Sequence, residues 1–134
     1  MMLANFDDLL FAARQQPQPQ RLLFVFAGAS LSAHADATQR ERFAAGHGGE
    51  LAPLMCVDKT PEELDSFSVL LEESRQFGQD WAIVFVAALD GRNGRSPSSE
   101  EASVPLQRMV EAIKAGSITA FLPFDRHGQP VQLT

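Results

Sequence analysis

The stretch "LDGRNGRSPSSEEA", residues 89 to 102, gathers the residue types of an anion grip. Gly91 and Gly94 offer backbone amides unhindered by side chains, Arg92 and Arg95 offer guanidinium groups, and Ser96, Ser98 and Ser99 offer hydroxyls. A helix starting behind them would add its positive end, and the combination suits phosphate or carboxylate. Glu100 and Glu101 oppose it. The spacing excludes two phosphate loops: no Gly-Lys-Ser/Thr triplet follows, as a P-loop needs, and the third glycine of a dinucleotide fingerprint is missing. "GRNG" matches the GXXG of KH modules, which hold a nucleic-acid backbone, but that loop joins two helices and this one follows a strand. The plain alternative is a solvated loop, the default for any short motif.

Other chemistry is less well provided for. Cys56 could act as a nucleophile with His34, His47 or His127 as base. Its neighbours Met55 and Val57 place it inside a strand, where a free cysteine is usually a small buried hydrophobe. The three histidines have no ligand spacing, so no metal is expected, and no cofactor motif is present. Thr60, Glu62 and Glu63 read as a helix start rather than as paired catalytic carboxylates. The acids between Asp58 and Glu73 read as the solvated face of that helix.

The elements that must position these groups follow from periodicity. Leu3, Phe6, Leu9, Leu10 and Ala13 predict a first amphipathic helix capped by Asn5, which "QQPQPQ" (15 to 20) stops and converts to an extended connector. "RLLFVFAGA", "ELAPLMCV" and "WAIVFVAAL" predict strands. The first is a continuous apolar run covered on both faces, and Pro53 puts the second at an edge or a bulge. A thin helix is expected from Ala37 to Ala45. A stronger one starts at Thr60, with Pro61 in its first turn, a stripe of Leu64, Phe67, Leu70, Leu71 and Ser74, and its end at Gly78. The last helix buries Leu106, Met109, Val110 and Ile113; it starts near Val104, or near Ser98 with Pro105 kinking it, and the first is preferred. "SITAFLPFD", "RHG" and "QPVQL" predict a closing hairpin.

This order predicts one α/β domain: residues 1–20 as helix and Pro/Gln connector, and residues 21–134 as the sheet-and-helix body. The expected sheet is mixed but mainly parallel, with four to five strands, helices on both faces and a C-terminal β-hairpin. In such a sheet, ligands sit beyond the carboxyl ends of the strands. Ser30, Ser32, His34, Asp58, Lys59, Arg92, Arg95, Ser96, Asp125, Arg126 and His127 would then share one rim. The ligand-binding candidates are Gly91, Arg92, Gly94, Arg95, Ser96 and Arg126, with no catalytic residue assigned.

Composition narrows the partners. The 134 residues hold 11 basic and 17 acidic side chains, a net charge of −6, which repels nucleic acid and acidic membranes. No apolar run approaches a membrane span, and Asp7 and Asp8 stand where a signal peptide would be basic. One cysteine suits a reducing cytoplasm.

"RLLFVFAGA", "PLMCVDKTPEEL", "DWAIVFVAAL" and "PLQRMVEAIKAGSITAFLPFDRHGQPV" resemble a family of small uncharacterised proteobacterial proteins, some labelled "ribonucleotide reductase subunit alpha". The resemblance implies no activity. A reductase catalytic subunit needs several cysteines and, in aerobic forms, radical-carrying tyrosines; this chain has one cysteine and no tyrosine. It is also shorter than the couple of hundred residues, roughly, that a barrel enzyme requires.

The sequence therefore predicts a cytoplasmic, non-catalytic binding or interaction module. It would meet a protein partner, or itself, through exposed strand edges or the C-terminal hairpin. The alternative is a domain that binds a small phosphate- or carboxylate-bearing ligand, or an enzyme, using the 90–99 loop.

Overall fold

The computed structural model describes residues 4–30, 36–38, 41, 50–78 and 80–132. Its elements are helix α1 (Phe6–Arg14), strands β1 (Gln20–Ser30) and β2 (Glu50–Lys59), a 3-10 turn (Pro61–Glu63), helix α2 (Phe67–Arg75), strand β3 (Ile83–Asp90), helix α3 (Ser99–Lys114) and strand β4 (Leu122–Phe124). The helix expected over Ala37–Ala45 lies largely outside the described residues, as do Ser32, His34 and His47.

The four strands form one sheet in the order β2-β1-β3-β4, and every neighbouring pair is antiparallel. This overturns the expected mainly parallel sheet. A continuous apolar run such as Leu22–Ala27 reports burial on both faces and carries no information about direction. Alternation of strands and helices is equally silent here, because β1 inserts between β2 and β3. Those two strands run parallel to each other without touching, and α2 carries the chain between them across β1.

Two apolar layers hold the sheet. Phe6 and Leu10 of α1, with Phe67 and Leu70 of α2, cover Leu22, Phe24, Phe26, Val84 and Val86 on one face. Ala102, Leu106, Met109 and Ile113 of α3 cover Leu23, Val25, Ala27 and Phe85 on the other. The first layer is aromatic: the Phe6 ring lies 5.9 Å from Phe24, 5.1 Å from Phe67 and 5.3 Å from Phe124. Buried Ser74 fits this layer because its Oγ accepts from Trp81 Nε1 at 2.9 Å and donates to the Leu71 carbonyl at 2.6 Å.

Local chemistry sets the element ends. Asn5 caps α1 by accepting from Asp8 N at 2.9 Å. The long helix expected from Thr60 is split, because Leu64 is extended and α2 restarts at Phe67, whose N–H donates to Asp7 Oδ1 of α1 at 2.8 Å. A cap from a distant helix leaves no local sequence signal. In β2, Leu54 has no partner on β1, where the register shifts; Pro53 thus sits beside a bulge on an edge strand of the described sheet, meeting both readings of that residue. The expected closing hairpin shrinks to three residues of β4 and one bridge, Phe124 to Pro130.

Helix α3 begins at Ser99, not near Val104. Ser98 Oγ accepts from Glu101 N at 3.0 Å, and Glu101 Oε1 accepts from Ser98 N at 3.3 Å. This capping box outweighs Pro105, which is left inside the helix without an N–H to give the Glu101 carbonyl. Pro105→Ala is therefore expected to raise stability by about 2 kcal/mol, read as a higher urea midpoint at unchanged slope.

Candidate functional site

The antiparallel sheet divides the single rim expected from the sequence. Lys59 at the end of β2 pairs with Leu22, and Asp90 at the end of β3 pairs with Gln20, so Asp58, Lys59, Arg92, Arg95 and Ser96 gather where β1 begins. Ser30 at the far end of β1 pairs with Glu50, and Phe124 at the end of β4 pairs with Val84, so Asp125, Arg126 and His127 lie at the opposite end. The eight residues of β3 that separate the two ends span about 25 Å. Arg126 is engaged there: its guanidinium lies over the Trp81 ring at 5.7 Å from the centroid and 3.8 Å from Asp80 Oδ1. It does not join the other five candidates.

Those five form a tight turn. Arg92 N donates to Arg95 O and Arg95 N to Arg92 O, both at 2.9 Å, so the two arginines are direct cross-strand partners. Between them Asn93 and Gly94 have φ of 53° and 76°, the positive values a type I′ hairpin turn requires. Asn-Gly is the strongest short signal for that turn, and it identifies the loop more sharply than the GXXG match does.

The turn is fastened to the body by its neighbours. Gly91 N donates to Pro19 O at 2.8 Å, Gly94 N to Gln18 Oε1 at 3.0 Å, and Gln20 Nε2 to Asp90 Oδ1 at 2.8 Å. The connector "QQPQPQ" is thus a structural partner of the site, a role its composition did not announce. Behind it, Arg21 Nε donates to Pro97 O at 2.6 Å and Nη1 meets Asp58 Oδ2 at 3.0 Å, while Ser99 Oγ donates to Asp58 Oδ1 at 3.0 Å. This largely buried pair ties β1, β2 and the start of α3 together beneath the turn, so Asp58 is structural.

Arg92 and Arg95 line a cleft of about 450 Å³ with Leu89, Asp90, Asn93, Ser96, Pro97 and Glu101. Among the described residues Arg92, Arg95 and the exposed Arg108 of α3 have no ion pair or side-chain hydrogen bond, whereas Arg14, Arg21, Lys59, Arg75, Lys114 and Arg126 each have one, and only Arg92 and Arg95 of the first three share a cleft. Like charges placed directly opposite on a hairpin repel. The two acids of the cleft are partly occupied, Asp90 by Gln20 and Glu101 by the α3 cap.

The remaining titratable groups argue for structure. Glu63 Oε1 accepts from Thr60 N at 2.9 Å and Thr60 Oγ1 at 3.0 Å and lies 3.7 Å from Arg21. The Thr60 backbone N–H above all, then its hydroxyl, Lys59 and Arg21, hold the carboxyl below its ordinary range against the opposing effect of partial burial. Its contribution is complete above the unfolded-state value and fades as pH falls through the lower folded one. Glu63→Gln is accordingly expected to lower the urea midpoint at neutral pH and to converge with wild type at acid pH, which flattens the acid limb of the profile.

Cys56 is exposed on β2, not buried as its strand position predicts, and is still a poor nucleophile. Partial burial, then the Asp58 charge, push its thiol up, which leaves little thiolate at neutral pH. His127 follows β4, three strand spacings or about 14 Å across the sheet from β2. Among the described residues no group of His, Cys, Asp and Glu could hold a metal, and no helix is long and apolar enough to cross a membrane.

No known protein family matches the chain, and comparison with curated proteins and with solved structures finds no match. The resemblance to small proteobacterial proteins therefore adds nothing to the site, which rests on its geometry.

Proposed function

We propose that the protein is a non-catalytic binding module that holds a small phosphate- or carboxylate-bearing ligand between Arg92 and Arg95. One observation carries this reading: two arginines without partners face each other across a fixed turn and line one cleft, in a chain of net charge −6. A bound anion converts their repulsion into two charge-assisted contacts. Because Asp90 and Glu101 share the cleft, the preferred ligand also carries hydrogen-bond donors, as hydroxyl-bearing phosphate esters do. The single cysteine and the acidic composition favour a cytoplasmic setting.

Interaction through the strand edges has less support. The β2 edge carries Pro53 and the unpaired Leu54, and β4 is three residues long with Pro123 at its centre; both features discourage strand addition. A thermal-shift screen of phosphorylated metabolites and dicarboxylates, on wild type and on Arg92→Ala/Arg95→Ala, tests the proposal. Stabilisation of wild type alone supports it. Equal stabilisation of both proteins moves the anion site elsewhere, and none at millimolar ligand returns the protein to the interaction reading.

A further inference from the structure

We propose that Asn93 is a deamidation site restrained by Gln18, and that its conversion to a carboxylate switches off the arginine pair. The switching half rests on the anion-binding reading above; the restraint does not. Asn93 is exposed at the tip of the turn, and the residue after it is glycine, which has no side chain of its own to crowd its nitrogen. In deamidation that nitrogen, having lost its proton to solvent base, bonds to Cγ of the asparagine. The Cγ–Nδ2 bond breaks and Nδ2 leaves as ammonia. Water then opens the succinimide at either carbonyl, giving aspartate or isoaspartate with no change of oxidation state.

The nucleophile in this reaction is Gly94 N, and its proton is donated to Gln18 Oε1 at 3.0 Å. Ionising the amide requires breaking that bond, so Gln18 slows the first step. The product places a new negative charge at position 93, in the two-residue turn that Arg92 and Arg95 close. An internal carboxylate there competes with any external anion. Age or alkaline exposure would thereby convert an open site into a self-neutralised one, with the Gln18 side chain setting the rate.

Mass spectrometry of residue 93 during incubation at mildly alkaline pH reads the restraint. Gln18→Ala is expected to deamidate about tenfold faster than wild type, the factor that one hydrogen bond of ordinary net strength carries. Gln18→Glu, which keeps an acceptor and makes it a charged one, should deamidate no faster than wild type. Equal rates for Gln18→Ala and wild type would overturn the restraint. So would exchange of the wild-type Gly94 amide at the rate of an unstructured chain, a measurement that needs no variant. Asn93→Asp reports the switch: inorganic phosphate should bind it about tenfold more weakly than wild type, and unchanged binding would refute that half. If wild type binds no phosphate while Gln18→Ala still accelerates the mass change, the anion reading fails and the restraint stands.

Discussion

Gly91→Ala is expected to lower stability by about 3 kcal/mol, the largest single-site effect in the turn. A Cβ at this position would lie 2.2 Å from Arg95 O and 2.5 Å from Pro19 O. Both atoms are backbone, and both are held: Arg95 O accepts from Arg92 N, and Pro19 O accepts from Gly91 N itself. Relief therefore means separating the turn from the connector, with loss of the bonds that fasten it. Gly94→Ala is the control, because its Cβ would meet nothing within 4 Å and the cost is confined to a φ of 76°, about 1 kcal/mol. Urea unfolding of the two variants checks the contrast. A loss of less than about 1 kcal/mol at Gly91 would mean that the connector and turn are not packed as described.

Removing both guanidinium groups is expected to act on binding and not on folding. Arg92→Ala/Arg95→Ala should weaken binding of a phosphorylated ligand about a hundredfold, since two hydrogen bonds to a charged group contribute roughly 3 kcal/mol together after exposure is discounted. Without ligand the double variant should be as stable as wild type, or more stable by a few tenths of a kcal/mol, because an unfavourable like-charge pair has gone. A structural pair would behave in the opposite way. Titration calorimetry gives the first number and urea unfolding the second, and a marked loss of stability in the double variant would assign the arginines to the fold.

The positions of the strands and of the first helix were legible because burial leaves a pattern. Leu22–Ala27 and Val84–Val86 are buried as continuous runs, and Asn5 announces the helix it caps. Strand direction was not legible, since it depends on where β1 inserts, and no residue of β1 records which neighbours it has. The assumed direction then misplaced Arg126, which a parallel sheet would have brought to Arg92 and an antiparallel one sends to the far end. The break at Leu64 and the early start of α3 show two further limits. One is set by Asp7, 60 positions away in the chain; in the other, a capping box prevails over a proline that propensity alone would place at a helix start. In the site itself, Arg92 and Arg95 could be named from type and spacing. Their opposition across a type I′ turn, which gives the pair its meaning, was carried by Asn93-Gly94.

Whether Arg92 and Arg95 hold an anion is read by titrating the isotope-labelled protein with inorganic phosphate and following the backbone amide resonances. Saturable shifts confined to residues 91–96 and the start of α3, absent in Arg92→Ala/Arg95→Ala, are expected. Shifts centred on Asp125–His127, or none that saturate, would contradict the anion-binding reading.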